Sequence, residues 1–319
     1  MNIMKKMLVT GAALFVLCSG QAMAMTNLRV LAAGTLALPF RQIDAEFHRQ
    51  YPNIQVEPVF GGSVKMAKMV TELHEPADIV ASADYSVIPK YLYAHGTSPA
   101  YTNWYIGFVG NEITFTYTPK SKGASKINAS NWYKVMAEPG VEIGRSSPNT
   151  DPSGYQIIQM LNLANSYYHD PKLEQSVLAN APQSNMRDTE TDLISALQVG
   201  QIDYLAIYRS DAIQHHFEYL HLPDQINLSN ARYSANYAKG KAVTKNGVVT
   251  GRPIIYALTI IKGAAHTPAA EKYVAFLLGP KGRKIMKQDG FIVMSRAYAA
   301  NRQHVPQPLQ KLTQAWPGK

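Results

Sequence analysis

The chain has 319 residues, 46% hydrophobic and 17% charged, with a formal net charge of +9 and a single cysteine, Cys18. That length fits two lobes of ordinary size better than one core, and a lone cysteine excludes an intrachain disulfide and a thiolate metal cluster. The basic residues are scattered, which argues against nucleic acid and for a field that draws in an anionic solute.

Lys5 and Lys6 precede the apolar run Met7–Cys18 and the A-x-A site Ala22-Met23-Ala24. Together they read as a secretory signal over residues 1–24, cleaved after Ala24, which places the mature chain in the periplasm. The run is too short to span a bilayer and no later stretch is longer, so a soluble mature protein is expected. Leu17 stands before Cys18 where a lipoprotein site wants a small residue, so lipidation is not expected.

Leu28–Ala32 is a short strand of the buried type, followed by the Gly34-Thr35 turn and a helix with Leu38, Phe40, Ile43, Phe47 and Tyr51 at helical spacing. Ile54–Phe60 alternates as a strand and runs into Gly61-Gly62-Ser63. The next helix carries Met66, Met69, Val70 and Leu73 on one face, a core stripe. Ala77–Ala81 is a third strand, and Asp84–Tyr93 is helical around Pro89. This alternation of strand, turn and helix predicts a mostly parallel sheet flanked by helices.

Trp104–Tyr117 breaks the rhythm as a long aromatic strand that crosses to a second lobe. There Val141–Gly144 is a strand, Tyr155–Tyr168 and Thr191–Val199 are helices, Asp203–Tyr208 is a strand and Ser210–Tyr219 a helix. Asn227–Gly251 is the least regular part. Pro253–Ile261 reads as the return crossing, with helices Ala269–Leu278 and Lys281–Gln288 packing on the first lobe. One lobe inserted in another, joined by two crossing strands, is a hinged clamshell. Its lobes are residues 25–108 with 256–319, and residues 109–255.

Four segments sit where strands end: Ala32–Thr35, Phe60–Ser63, Thr150–Tyr155 and Ile202–Ala212. They offer hydroxyls, glycine-freed amides and tyrosines, with almost no cationic side chain. Open α/β sheets bind ligands at that edge, and helix N-termini there suit a small anion. The chemistry is that of a binder. Ser153 lacks a nucleophile-elbow context, and no His–Asp pair accompanies it. His215, His216 and His221 lack the spacing of a metal site. Arg187 and Arg209 fit surface or inter-lobe pairing better than ligand contact.

The pieces AAGTLALPF, FGGSVK, ADIVASADYSVIP, NWYIGFVGNEI, DPSGY, ETDLISALQVGQIDY, IYRSDAIQH and GRPIIYALTI occur in an order that resembles periplasmic molybdate/tungstate-binding proteins of ABC transporters, the archaeal branch in particular. The resemblance covers nearly all of the chain beyond the signal. It implies a two-lobed periplasmic-binding-protein fold of the type II clamshell class, no enzymatic activity and no cofactor. The expected partners are one molybdate or tungstate ion and a membrane permease, with no nucleic acid, and the chain is expected to be a monomer.

By position, the resemblance implies that Thr35 and Ser63 bind the oxyanion, that Asp151 contacts the metal centre, and that Tyr208 donates to an oxyanion oxygen. The Glu190–Asp192 turn, with Thr191, would supply backbone amides. One departure stands out. The archaeal branch has a second coordinating glutamate in the segment matching Ala206-Ile207-Tyr208, and this chain has Ile207 there. A four-coordinate, tetrahedral oxyanion is therefore expected, with Asp151 capping the helix that begins near Gly154. Sulfate, thiosulfate or another oxyanion is the alternative ligand. A periplasmic sensor or enzyme on the same fold is the alternative class.

Overall fold

The computed structural model describes residues 25–317; the export signal expected over 1–24 lies outside them. The first lobe opens with β1 (Thr26–Ala33), a 3-10 turn (Gly34–Leu36) and α1 (Ala37–Gln50). It continues through β2 (Ile54–Gly61), α2 (Ser63–Thr71), β3 (Ile79–Ser82), α3 (Val87–Leu92) and β4 (Tyr105–Gly110). β1 pairs in parallel with both β2 and β3. Its Leu28, Val30 and Ala32 pack into one core cluster and Leu31 into another on the opposite face, which explains its near-continuous apolar run.

The second lobe holds β5 (Ile113–Tyr117), α4 (Trp132–Met136), β6 (Ile143–Ser146), α5 (Pro152–Tyr167), α6 (Leu173–Ala179) and β7 (Met186–Arg187). A 3-10 turn (Glu190–Leu193) then leads to α7 (Ile194–Gln198), β8 (Tyr204–Tyr208), α8 (Arg209–Gln214) and β9 (Glu218–Tyr219). After α9 (Ser234–Tyr237) comes a hairpin, β10 (Lys241–Thr244) with β11 (Gly247–Thr250). The chain returns through β12 (Ile255–Ile260), α10 (Thr267–Leu278), α11 (Pro280–Gln288), β13 (Ile292–Ala300), α12 (Gln307–Gln310) and β14 (Thr313–Ala315).

The first sheet has the order β14-β13-β4-β12-β3-β1-β2 and the second β7-β6-β8-β5-β9. Both are more mixed than the expected mostly parallel sheets. The crossing strands cause this: β4 and β12 run antiparallel to each other, β12 antiparallel to β3, and β5 antiparallel to β8. The single long strand expected over Trp104–Tyr117 is two strands in different sheets. Buried Asn111 makes the break, its Oδ1 accepting from Glu112 N at 3.0 Å. The helix expected over Ser210–Tyr219 ends at Gln214, where His216 turns left-handed (φ 56°) and β9 begins.

β1, β2 and β3 are parallel, so their carboxyl ends share one edge, and β6 with β8 does the same in the second lobe. These edges face each other. Amides of Val64 and Lys65 on the first lobe donate to the Thr150 carbonyl on the second, at 3.1 and 3.3 Å. At the other end of the seam the Arg209 guanidinium donates to the Gly290 carbonyl at 2.9 Å. The lobes are closed on one another.

Candidate functional site

Asp151 ends the loop after β6 in an extended conformation and caps α5, its Oδ1 accepting from Ser153 N at 2.8 Å, with Pro152 at the first helical position. The capping role expected of Asp151 is thus present. Its carboxyl is also buried in the inter-lobe seam, 3% exposed. Beside it lies Glu190, which is 0% exposed. Ser153 Oγ bridges the two, 2.8 Å from Asp151 Oδ1 and 2.8 Å from Glu190 Oε2. A hydroxyl has one proton and serves one of these acceptors, so the other contact needs a proton on a carboxyl oxygen. Burial and the neighbouring Glu190 charge push the Asp151 carboxyl well above the ordinary carboxylate range. Glu190 is raised by burial.

A third acid joins them. Asp211, 1% exposed in the first turn of α8, is pushed well above its usual range by burial and then by Glu190. Ser210 Oγ donates to its Oδ2 at 3.4 Å and receives Asn111 Nδ2 at 2.8 Å. Glu190 Oε2 also accepts from Thr189 Oγ1 at 3.2 Å, but Oε1 is buried without any hydrogen-bond partner. No set of three His, Cys, Asp or Glu among the described residues has the geometry to hold a metal ion.

The first lobe contributes hydroxyls. Ser63 Oγ accepts the Ala83 amide at 2.9 Å, which leaves its own proton free to donate. Thr35 Oγ1 lies 2.9 Å from the Tyr256 hydroxyl, which in turn receives Asn111 Nδ2 at 3.3 Å. Thr35, Ser63, Asp151 and Glu190 are therefore all buried along the closed seam. Gly34 abuts Thr191: a Cβ at Gly34 would lie 3.0 Å from Thr191 Oγ1 and from Thr189 Oγ1. At the N-terminus of α2, a helix start of the kind expected to suit an anion, the amides of Val64 and Lys65 are taken by the Thr150 carbonyl.

Tyr208 departs from its expected role. Its hydroxyl donates to Gln156 Oε1 at 2.7 Å, and with one O–H it has no second proton for an oxyanion. Tyr256, 5.7 Å from it ring to ring, is the tyrosine that reaches Thr35. A second carboxyl group does lie beside Asp151 in the fold. Ile207 is buried in the apolar cluster with Leu193 and Leu197, and the partner comes from a different segment, at Glu190.

A cleft of about 390 Å³ opens beside the acid cluster, lined by Lys90, Tyr91, Tyr155, Asn246 and Arg252 among others. Tyr155 separates it from the seam, donating to Asp84 Oδ2 at 2.7 Å. Arg252 stacks over the Tyr85 ring at 5.6 Å.

Residues 28–292 match the family of bacterial extracellular solute-binding proteins. A solute-binding protein of Petrotoga mobilis is 39% identical over 88% of each chain. The molybdate/tungstate-binding protein WtpA of Thermococcus kodakarensis is 34% identical over 83% of this chain and 81% of its own. Among solved structures, the periplasmic molybdate-binding protein of Azotobacter vinelandii superposes with a TM-score of 0.60 at 18% identity, over 84% of this chain and 100% of that one. The sulfate-binding protein SubI of Mycobacterium tuberculosis H37Rv reaches 0.58 at 16% identity, over 85% of this chain and 88% of that one.

Proposed function

This chain belongs to the bacterial extracellular solute-binding proteins, and on that footing we propose that it captures molybdate or tungstate in the periplasm and presents the ion to the permease of an ABC importer. The observation that carries the reading is the sealed seam itself. Strand ends of both lobes converge there with Thr35 and Ser63 hydroxyls on one side and Asp151 and Glu190 on the other. None of these four residues is cationic. A buried seam lined by hydroxyls, with no cation among these four residues, suits a small oxyanion held by neutral donors. The relatives named for molybdate and tungstate support the choice of ion.

Affinity is within reach of such donors. About six hydrogen bonds to a charged ligand, at ~1.5–3 kcal/mol each, give a gross ~9–18 kcal/mol that lost ligand freedom and desolvation oppose, and the about −12 kcal/mol of nanomolar binding lies within that gross range. The protein acts as a monomer without a cofactor. Calorimetry of the purified mature chain with sodium molybdate, tungstate and sulfate tests the reading. Tight binding of the first two and none of sulfate is expected; heat from sulfate alone would reassign the protein to the sulfate binders.

A further inference from the structure

We propose that the cleft between α3 and the β10–β11 hairpin is a second ligand site, which takes a small organic anion: Lys90 and Arg252 hold its negative head, and the valines and tyrosines of the walls hold an apolar body. The site is separate from the seam and does not depend on the oxyanion reading.

The cleft, at about 390 Å³, has the size of a small-molecule pocket. One wall is α3 of the first lobe, with Val87, Lys90 and Tyr91; the other is the hairpin of the second lobe, with Val248 and Val249, followed by Arg252. The hairpin joins neither large sheet. A ribbon of two strands is barely stable alone, and this one is fixed from below. Gln159 Nε2 donates to the Val249 carbonyl at 3.0 Å, and Asn149 Oδ1 accepts Lys245 N at 2.8 Å. Its turn also touches the first lobe, where Lys90 Nζ donates to the Asn246 carbonyl at 3.1 Å.

Charge sets the cleft apart. Lys90, His95 and Arg252 line it, and no Asp or Glu does so among the described residues. None of the three forms an ion pair among those residues. Asp84, whose charge acts on Arg252, has its carboxylate taken by the Tyr155 hydroxyl and the Ser86 amide. Donors remain to be used. Lys90 spends one of its three protons on Asn246, and Arg252 commits Nε to the Thr250 carbonyl at 3.2 Å. Two cations with protons to give attract an anionic head and bond it strongly. The valines beside them gain from an apolar body, which a bare inorganic ion lacks. Seam and cleft are thus opposites: acids and hydroxyls in one, cations and apolar walls in the other, with Tyr155 between them.

Phenyl phosphate, an anionic head on an apolar ring, is the probe; sodium phosphate and phenol carry the two halves singly. Calorimetry of the mature chain, with and without saturating sodium tungstate, should show one saturable site for phenyl phosphate in both cases. Sodium phosphate and phenol should each bind at least about 10-fold more weakly. Arg252→Gln and Lys90→Gln, each shown to be folded by ligand-free melting, should weaken phenyl phosphate about 10-fold or more and leave phenol unchanged. A wild-type chain without a saturable site for phenyl phosphate overturns the inference, as does equal affinity in both folded variants. Sodium phosphate binding as tightly as phenyl phosphate overturns it too, because the apolar walls would then count for nothing. Loss of the site when tungstate is present would put the probe in the seam and has the same consequence. A chain that takes phenyl phosphate in the expected way but ignores molybdate and tungstate would remove the oxyanion reading and leave the cleft site standing.

Discussion

Tyr155 on α5 of the second lobe donates its hydroxyl to Asp84 Oδ2, past the end of β3 in the first, at 2.7 Å. Both residues are buried, and Asp84 also fixes its own loop through Oδ1, which accepts from Ser86 N at 2.8 Å. The bond forms only when the lobes meet, so it stabilises the closed state and nothing within either lobe. Burial and the Asp84 charge raise the Tyr155 hydroxyl well above its usual range, so it remains a donor at any physiological pH.

Tyr155→Phe should therefore weaken oxyanion capture while sparing the fold. Leaving a buried carboxylate oxygen unserved costs about 1.5–3 kcal/mol, a loss of roughly 10- to 150-fold in affinity. Calorimetry with molybdate measures the affinity and ligand-free melting checks the fold. Unaltered affinity would mean that the Tyr155–Asp84 bond does not contribute to closure.

The first-lobe hydroxyls make a second pair of variants. Ser63→Ala removes a free donor and also the acceptor of the Ala83 amide. Thr35→Ala removes the partner of Tyr256. Each should cost about 1.5–3 kcal/mol of binding. Ser63→Ala should in addition lower ligand-free stability by about 1 kcal/mol, because a buried amide loses its acceptor. Chemical denaturation of both variants separates the two effects.

Much of this architecture was legible in the sequence, for physical reasons that also explain the gaps. Strands covered on both faces, such as β1 and β3, show as plain apolar runs, and the turns after them as Gly34-Thr35 and Gly62-Ser63. β13 has a partly exposed, mixed pattern and went unread. The hairpin β10–β11 did carry a signal, Asn246-Gly247 between alternating residues, and that dipeptide could have found it. Glu190 at a helix start reads as a dipole-stabilising surface acid. Its burial depends on residues far apart in the chain, Ser153 on α5 among them. Asp211 stayed hidden in the same way.

Away from the seam, Asp44 on α1 gives a pH prediction. Burial lifts its carboxyl from 3.8 to about 6, against the opposing hydrogen bond from Tyr273 at 2.7 Å. The folded state thus holds the proton more tightly than the unfolded chain. Its stabilising contribution is complete below about pH 3.8 and is lost as pH rises through about 6. Asp44→Asn should remove that loss and raise stability at pH 7 by up to about 3 kcal/mol, with little change at pH 4. Urea melts at the two pH values measure the difference, and an equal effect at both would contradict the assignment.

Gly62 offers the sharpest test of closure. It precedes α2 with φ −59° and ψ 133°, a conformation any residue adopts, so alanine there strains no backbone. A Cβ would nevertheless fall well inside the van der Waals radius of the Thr150 carbonyl and lie 3.0 Å from the Asp188 carbonyl, both in the opposite lobe. Neither obstacle is a side-chain tip that can swing away, since both belong to backbone in the second lobe. Gly62→Ala should accordingly leave each lobe folded and hold them apart. Molybdate affinity should fall by about two orders of magnitude, roughly 3 kcal/mol, and small-angle scattering should show no compaction on adding ligand. Gly34→Ala is the control. Its Cβ would meet two threonine side chains at 3.0 Å, which can rotate, so a loss below about 10-fold is expected. Full affinity and compaction in Gly62→Ala would show that the lobes capture ligand without the Gly62–Thr150 approach, and the closed seam would lose its claim to be the site.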